Sequence, residues 1–234
     1  MMIGAIIQAR MSSVRLPGKV LMKAAGRTVL QYVIERLKQC AALDGIVVAT
    51  STDDRDMAIV NHCEELGVAV CRGSLENVAR RSLEAAERFG FGAFVRVCAD
   101  SPLLDADLVG RAVEHFRACE CDVVTNVMPR TYPHGQSVEV VRTELLRATW
   151  PKLSTPEHLE HVMSFFYEHR SDFSIVNLCA PRDMSDMRLV VDTEEDWERF
   201  TRIADRFEEP HWKYGLAEII VICESLGVCG VGQA

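Results

Sequence analysis

The stretch "IIQARMSSVRLPGKVL", residues 6–21, decides the fold. Ile6 and Ile7, with Ile3 and Ala5 before them, form an apolar run of strand type. It passes straight into a loop holding Arg10, Arg15 and Lys19 among Ser12, Ser13, Pro17 and Gly18. Three cations in ten residues repel one another unless something anionic lies among them. Ser and Gly let such a loop turn backbone N–H groups onto phosphate oxygens. Arg10 would add a charged fork and Lys19 a point charge. The P-loop spacing G-x-x-x-x-G-K-[ST] is not met: Ser13 stands at the first glycine position and Val20 follows Lys19. A solvated basic turn is the plain alternative.

Outward from this stretch, apolar runs alternate with helical spacing. Strands are expected at Ile3–Ile7, Ile46–Ala49, Val68–Cys71, Ala93–Val97 and Asp122–Thr125. Helices are expected through Val29–Leu37, from Asp53 to Leu66, at Leu75–Phe89 and at Ala106–Arg117. Strand–helix units with continuous apolar strands predict an α/β fold with a doubly wound, mostly parallel sheet. Ligands of such sheets bind outside the carboxyl ends of the strands. The basic loop, "ATSTDDR" at 49–55 and "VCADSP" at 97–102 all lie there.

After Met128 the pattern changes. Residues 128–187 read as an excursion from the sheet, either a cap over the site or a dimerisation arm. Within it we expect helices at Thr143–Thr149 and Pro156–His169 and a strand at Ser174–Leu178. A return strand at Arg188–Val191 and a helix at Glu194–Phe207 close one domain over residues 1–226. The Gly-rich end, 227–234, reads as a flexible tail.

Composition narrows the function. The chain has 234 residues, 48% of them hydrophobic, and a net charge of −8. An acidic protein with one basic loop argues against a nucleic-acid surface. No apolar run approaches the roughly 20 residues a membrane span needs, and the N-terminus lacks the basic region of a signal peptide. A cytoplasmic protein is expected. The nine cysteines include no C-x-x-C, so buried free thiols are expected rather than a disulfide frame or a zinc knuckle.

Two carboxylates stand at expected strand tips, Asp100 after "FVRVCA" and Asp192 after "RLVV". Hard oxygen ligands in such a pair suit Mg²⁺ beside phosphate, although Asp192 could instead cap a helix. Asp105 and Asp107 have the D-x-D form of metal-dependent glycosyltransferases, but a helix start explains them more simply. His158 and His161 lack a third zinc ligand and could face a substrate or solvent. Ser74, in the turn after the third strand, could read a nucleotide base.

Together these motifs resemble the acylneuraminate/3-deoxy-manno-octulosonate cytidylyltransferase superfamily, nearest its spore-coat polysaccharide (SpsF-like) branch. The opening stretch resembles the N-terminal signature. "RVCADSPLLD" at 96–105, "EHVMSFFYEH" at 160–169 and "RLVVDTEEDWE" at 188–198 resemble three further elements in order. The resemblance implies a nucleotide-diphospho-sugar-transferase-like fold, usually dimeric. It also implies Mg²⁺-dependent activation of a sugar acid by CTP with release of pyrophosphate. Carried over, Arg10, Lys19 and Asp100 serve catalysis. Ala9, Arg10, Ser12, Ser13, Arg15, Lys19 and Ser74 hold the nucleotide, and Asp100 and Asp192 hold the metal. Gln136, Glu139, Glu160 and His161 contact the sugar acid. The chain departs from the pattern at Val14 (usually Thr), Ala99 (usually Gly) and Ser137 (usually Asp). A glycosyltransferase of the same fold and a nucleotide-binding module without turnover are the alternatives.

Overall fold

Alternating aliphatic residues bury both faces of one sheet, and the helices follow from that. The computed structural model of the chain describes residues 1–228. In chain order the elements are β1 (Ile3–Gln8), β2 (Lys23–Ala24), β3 (Arg27–Thr28), α1 (Val29–Leu37), β4 (Gly45–Ser51), α2 (Met57–Glu65), β5 (Ala69–Gly73) and α3 (Val78–Arg88). There follow β6 (Ala93–Cys98), α4 (Ala106–Ala118), β7 (Val123–Thr125), β8 (Glu139–Arg142), α5 (Thr143–Thr149), α6 (Pro156–Glu160), α7 (Ser164–Glu168), β9 (Ile175–Asn177), α8 (Glu194–Ala204) and α9 (Leu216–Leu226). β2 and β3 form a small separate hairpin.

The main sheet has seven strands in the order β5-β4-β1-β6-β8-β7-β9. β1, β4, β5 and β6 run parallel, and β8 is antiparallel to both its neighbours. The doubly wound, mostly parallel α/β sheet expected from the sequence is the observed one. Along β1, Ile3, Ala5 and Ile7 pack into the cluster that holds α1, α4, α8 and α9, while Ile6 faces α3 and α7. β6 repeats this with Ala93, Val95 and Val97 against Phe94. Period-two alternation on a strand buried from both sides is what fixes a two-faced core. Strand order reverses between β1 and β6, whose last pair is Gln8 with Cys98. That is the switch point at which an open α/β sheet leaves a crevice.

Several expectations need correction. Residues 128–187 do not leave the sheet: β8 inserts between β6 and β7, and β9 pairs with β7. The helix expected over 156–169 is two short ones. His161 takes extended backbone (φ −108°, ψ 94°), and Ser164 Oγ donates to the carbonyls of Glu157 and His161. A side chain that binds nearby carbonyls competes with the helix ladder.

The expected return strand at Arg188–Val191 reduces to a single bridge between Arg188 and His134. Gly135 (φ +96°) makes that crossing possible, because a Cβ there would lie 2.6 Å from the Leu189 carbonyl carbon. α9 was not anticipated, although "LAEIIVICESL" is apolar enough to mark it. Cys119 and Cys121 are joined in a disulfide, contrary to the free thiols expected there. The turn leaving α4 sets their Cα atoms 5.3 Å apart, within bridging range. Cys40, Cys63, Cys71 and Cys223 are buried as expected, while Cys179 is exposed. Of the tail expected at 227–234, Gly227 closes α9 in the left-handed conformation, and residues 229–234 lie outside the described residues.

Candidate active site

The basic loop is shaped by its own backbone and by one buried carboxylate. Gly18, at φ +72°, donates its N–H to Met11 O at 3.0 Å and so closes the loop on itself. Asp56, 1% exposed, accepts from the Met11 N–H at 2.7 Å and holds the other end. Its second oxygen accepts from Thr50 Oγ1, the Ser51 N–H and Ser51 Oγ. A fully bonded buried carboxylate is a rigid anchor. Nothing in the sequence marked Asp56 for this role beyond its place after the second strand.

This anchoring turns Lys19 inward, on a short 3₁₀ turn after Gly18. Its Nζ donates to Asp100 Oδ2 at 2.7 Å and to Asp192 Oδ1 at 2.9 Å. Burial opposes the charge, but Asp100 and Asp192 outweigh it and hold the ammonium above its ordinary range. Arg15 pairs with the other oxygen of Asp192. Arg10 pairs with Glu160 at 2.7 Å. The three cations of the opening stretch are thus matched by three carboxylates brought from β6, α6 and the start of α8.

Asp100 is carried beyond β6 by the Ala99 N–H bond to Gln8 O at 3.0 Å. Ala25 is the one non-glycine residue at positive φ among those described, so alanine at 99 meets no backbone strain. Asp192 is tied beside it by the Val191 N–H bond to Asp100 O at 2.8 Å. The capping reading of Asp192 does not hold, because Thr193 is the N-cap of α8 and forms a capping box with Asp196. Asp105, by contrast, caps α4 and binds the N–H groups of Asp107 and Leu216, which accounts for the D-x-D pattern without a metal.

Around this centre lies a cavity of about 340 Å³ at the β1–β6 switch point. Ala9, Arg10, Ser13, Arg15, Lys19, Asp100, Glu160, His161 and Asp192 line it, so nine of the expected residues meet in one place. Ser12 faces the adjoining hollow with Leu75, Pro156 and Leu159. Ser74 does not line the cavity: its hydroxyl accepts from the Asn77 N–H at 3.1 Å.

Gln136 is fully buried behind the site, donating to Leu103 O and accepting from the Asp105 N–H. Glu139 is also buried, accepting from Arg96 at 2.6 Å and from the Tyr167 hydroxyl at 2.5 Å. Both therefore stand one layer back. The residues that do face the cavity, and that sequence reasoning passed over, include Gln8, Arg81, Arg96 and Cys98. Alternation along β6 puts Arg96 and Cys98 on one face, short of Asp100 in the turn beyond, a signal the strand assignment already contained. His158 bonds Glu168 at 2.8 Å away from the cavity, and no cluster of three or more metal-ligating side chains occurs among the described residues.

A family profile for cytidylyltransferases matches residues 4–217. The chain belongs to the cytidylyltransferase family. Relatives of this cytidylyltransferase chain agree. The spore coat polysaccharide biosynthesis protein SpsF of Bacillus subtilis is 32% identical over 202 residues, 82% of each chain. The 3-deoxy-manno-octulosonate cytidylyltransferase of Aeromonas salmonicida is 31% identical over 129 residues, 53% of this chain and 49% of that one. Among solved structures, a cytidylyltransferase from Leptospira borgpetersenii superposes with a TM-score of 0.94 at 28% identity, covering 100% of this chain and 98% of that one. The family, its SpsF-like branch and its fold therefore stand as the sequence resemblance implied. Among the described residues no helix is long and apolar enough to cross a membrane.

Proposed function

We propose that this chain transfers the cytidylyl group of CTP to a hydroxyl of a sugar acid, a 3-deoxy-2-ulosonic acid or a relative of one, releasing pyrophosphate. The observation that carries the reading is the convergence of Asp100 and Asp192 on a single cation, the Lys19 ammonium, inside a cavity that the loop's Arg10 and Arg15 also line.

Asp100 and Asp192 fit Mg²⁺. Both offer carboxylate oxygens, both already face one cation at 2.7 and 2.9 Å, and an all-oxygen donor set suits that ion. When bound there, Mg²⁺ supplies charge neutralisation at phosphate oxygens. Lys19, Arg15 and Arg10 then have phosphate oxygens as alternatives to their present carboxylate partners. They hold the triphosphate and stabilise the charge that builds on the departing pyrophosphate. The acceptor hydroxyl gives its proton to solvent as its oxygen bonds to the α-phosphorus, and the bond from that phosphorus to the oxygen shared with the β-phosphate breaks, so that the electron pair leaves with pyrophosphate. Glu160 and His161, which line the same cavity, are placed to orient the acceptor. The same reading carries a homodimer, which sedimentation would test.

The test is pyrophosphate release with Mg²⁺, each of the four nucleoside triphosphates and a panel of 2-ulosonic acids, wild type beside Asp100→Ala. Release confined to CTP plus one acid, and lost in the variant, supports the proposal. Release from a nucleotide-sugar donor instead would favour a glycosyltransferase.

A further inference from the structure

The cavity holds an arginine that the loop chemistry leaves unused and that still has donors to give. Arg96 projects from β6 and lines the cavity with Gln8 and Cys98. Its Nε donates to Gln8 Oε1 at 3.2 Å and its Nη1 to Glu139 Oε2 at 2.6 Å. Nη2 has no acceptor among the described residues. Nor is it sealed: the arginine nitrogens buried without a partner belong to Arg36, Arg81 and Arg130. The Arg96 side chain keeps 17% exposure, and what it opens on is the cavity. Nη2 thus offers two N–H groups to whatever enters.

The charge around Arg96 is unbalanced as well. Its carboxylate is Glu139, directly opposite on β8. Tyr167 donates to the second oxygen of Glu139 at 2.5 Å. Burial and that carboxylate push the phenol far above its ordinary range, so it stays neutral. Arg130 lies near enough for Glu139 and Cys98 to act on it. Yet its Nη2 donates only to Ser137 Oγ, at 3.0 Å, and its Nη1 is buried with no partner. Two guanidiniums therefore share one carboxylate, whereas Arg10, Arg15 and Lys19 each have one already. A surplus positive charge in a largely buried place is costly unless an anion offsets it.

The reaction brings two anions into the cavity. The triphosphate has the loop's cations. Arg96 belongs to a different element, and its guanidinium is fixed from behind by Gln8 and Glu139. We infer that Arg96 reads the carboxylate of the acceptor, its Nη2 donating to a carboxylate oxygen. Glu139 and Tyr167 are positioning residues that hold the guanidinium for that contact. This rests on the sugar-acid reading above and adds what makes an acid, rather than a neutral sugar, the acceptor.

The experiment measures equilibrium binding to the full chain with Mg²⁺ and α,β-methylene-CTP. The probes are 3-deoxy-manno-octulosonate, N-acetylneuraminate and the methyl ester of each. Wild type is compared with Arg96→Met, Arg96→Lys, Tyr167→Phe, the double variant Arg96→Met/Glu139→Gln and Arg80→Met. The double variant leaves no carboxylate buried alone, so it serves where Arg96→Met does not fold. Arg80 is exposed and pairs with Glu84, so its variant is a control. Wild type should prefer an acid over its ester by about tenfold to a hundredfold, the range of a charge-assisted hydrogen bond. In Arg96→Met and the double variant this preference should fall to near one, with the Kd for α,β-methylene-CTP unchanged. Arg96→Lys should fall between. Tyr167→Phe should weaken the acid and not the ester, a split that a merely structural role would not produce.

Equal binding of acid and ester by wild type would overturn the assignment, and that comparison needs no variant to fold. So would a preference kept in the folded double variant. Loss of α,β-methylene-CTP binding there would make Arg96 a nucleotide contact instead. A wild type that binds the nucleotide analogue but neither acid nor ester would overturn the sugar-acid reading itself, a separate result.

Discussion

Lys19 and Asp100, 81 residues apart in the chain, meet with Nζ 2.7 Å from Oδ2 at the point where the order of the sheet reverses. Each depends on the other. The ammonium keeps its charge in a largely buried position through Asp100 and Asp192, and the two carboxylates lie close together because the ammonium is between them. The opening question of the sequence, how three cations share one short loop, thus has an in-chain answer before any nucleotide arrives.

If Mg²⁺ binds Asp100 and Asp192 as proposed, that arrangement makes Lys19 its competitor. Replacing it by Met should tighten Mg²⁺ binding in the absence of nucleotide, read by titration calorimetry. The same substitution should lower pyrophosphate release by about 10²–10³-fold, as for other electrostatic stabilisers. Weaker Mg²⁺ binding in Lys19→Met would contradict the placement of the metal.

The Arg10–Glu160 pair is partly exposed on both sides, so little energy rests in it. It nonetheless occupies a guanidinium assigned to the triphosphate. Glu160→Gln should therefore lower the Kd for CTP by about two- to fivefold, with no loss of melting temperature. A weaker CTP complex would mean that Glu160 supports Arg10 rather than competing with the nucleotide.

Asp196 ties the segment behind Asp192 to α8. Burial pushes its carboxyl up, but Arg188 and Arg199 outweigh it and hold it at about 2, below the ordinary 3.8. The folded chain binds this proton less readily than the unfolded one. The stabilisation is therefore fully present above about pH 4 and fades as pH falls through about 2. Asp196→Asn should cost about 3 kcal/mol at neutral pH, the order expected when one partner of a buried charge cluster is removed. It should also flatten the acid limb of a denaturation profile measured between pH 5 and 2.

Asp56 offers a contrast, since it touches no expected ligand. Asp56→Asn keeps the size of the side chain but sets a donor against the Met11 N–H or the Ser51 N–H. The loop should loosen, with the KM for CTP rising several-fold and kcat falling less. Equal loss in both parameters would place Asp56 closer to the chemistry than the structure does.

Much of the site was legible because its signals are local. A cationic loop after an apolar run, and acids at the ends of two others, need only chain order and the rule about strand ends. Gln136 and Glu139 were misjudged by depth: polar residues in a strand-like stretch look ligand-facing until their partners, Leu103 O and Arg96, are seen. Arg81 was hidden for the opposite reason. It reads as half of an ordinary basic pair on a helix, and only packing separates the buried member from exposed Arg80. The break at His161 and the missing return strand depend on Ser164 and Gly135 contacting distant backbone, which hydrophobic periodicity does not register.

The central claim is tested most directly by following the phosphorus itself. Phosphorus-31 NMR of wild type with CTP, Mg²⁺ and the acid that supports turnover should show the triphosphate resonances replaced by pyrophosphate and one phosphodiester signal in equal amounts. The product mass should equal CMP plus the acid less water. Consumption of CTP to CDP and phosphate, or no consumption with any acid while Asp100→Asn binds CTP as wild type does, would contradict the account.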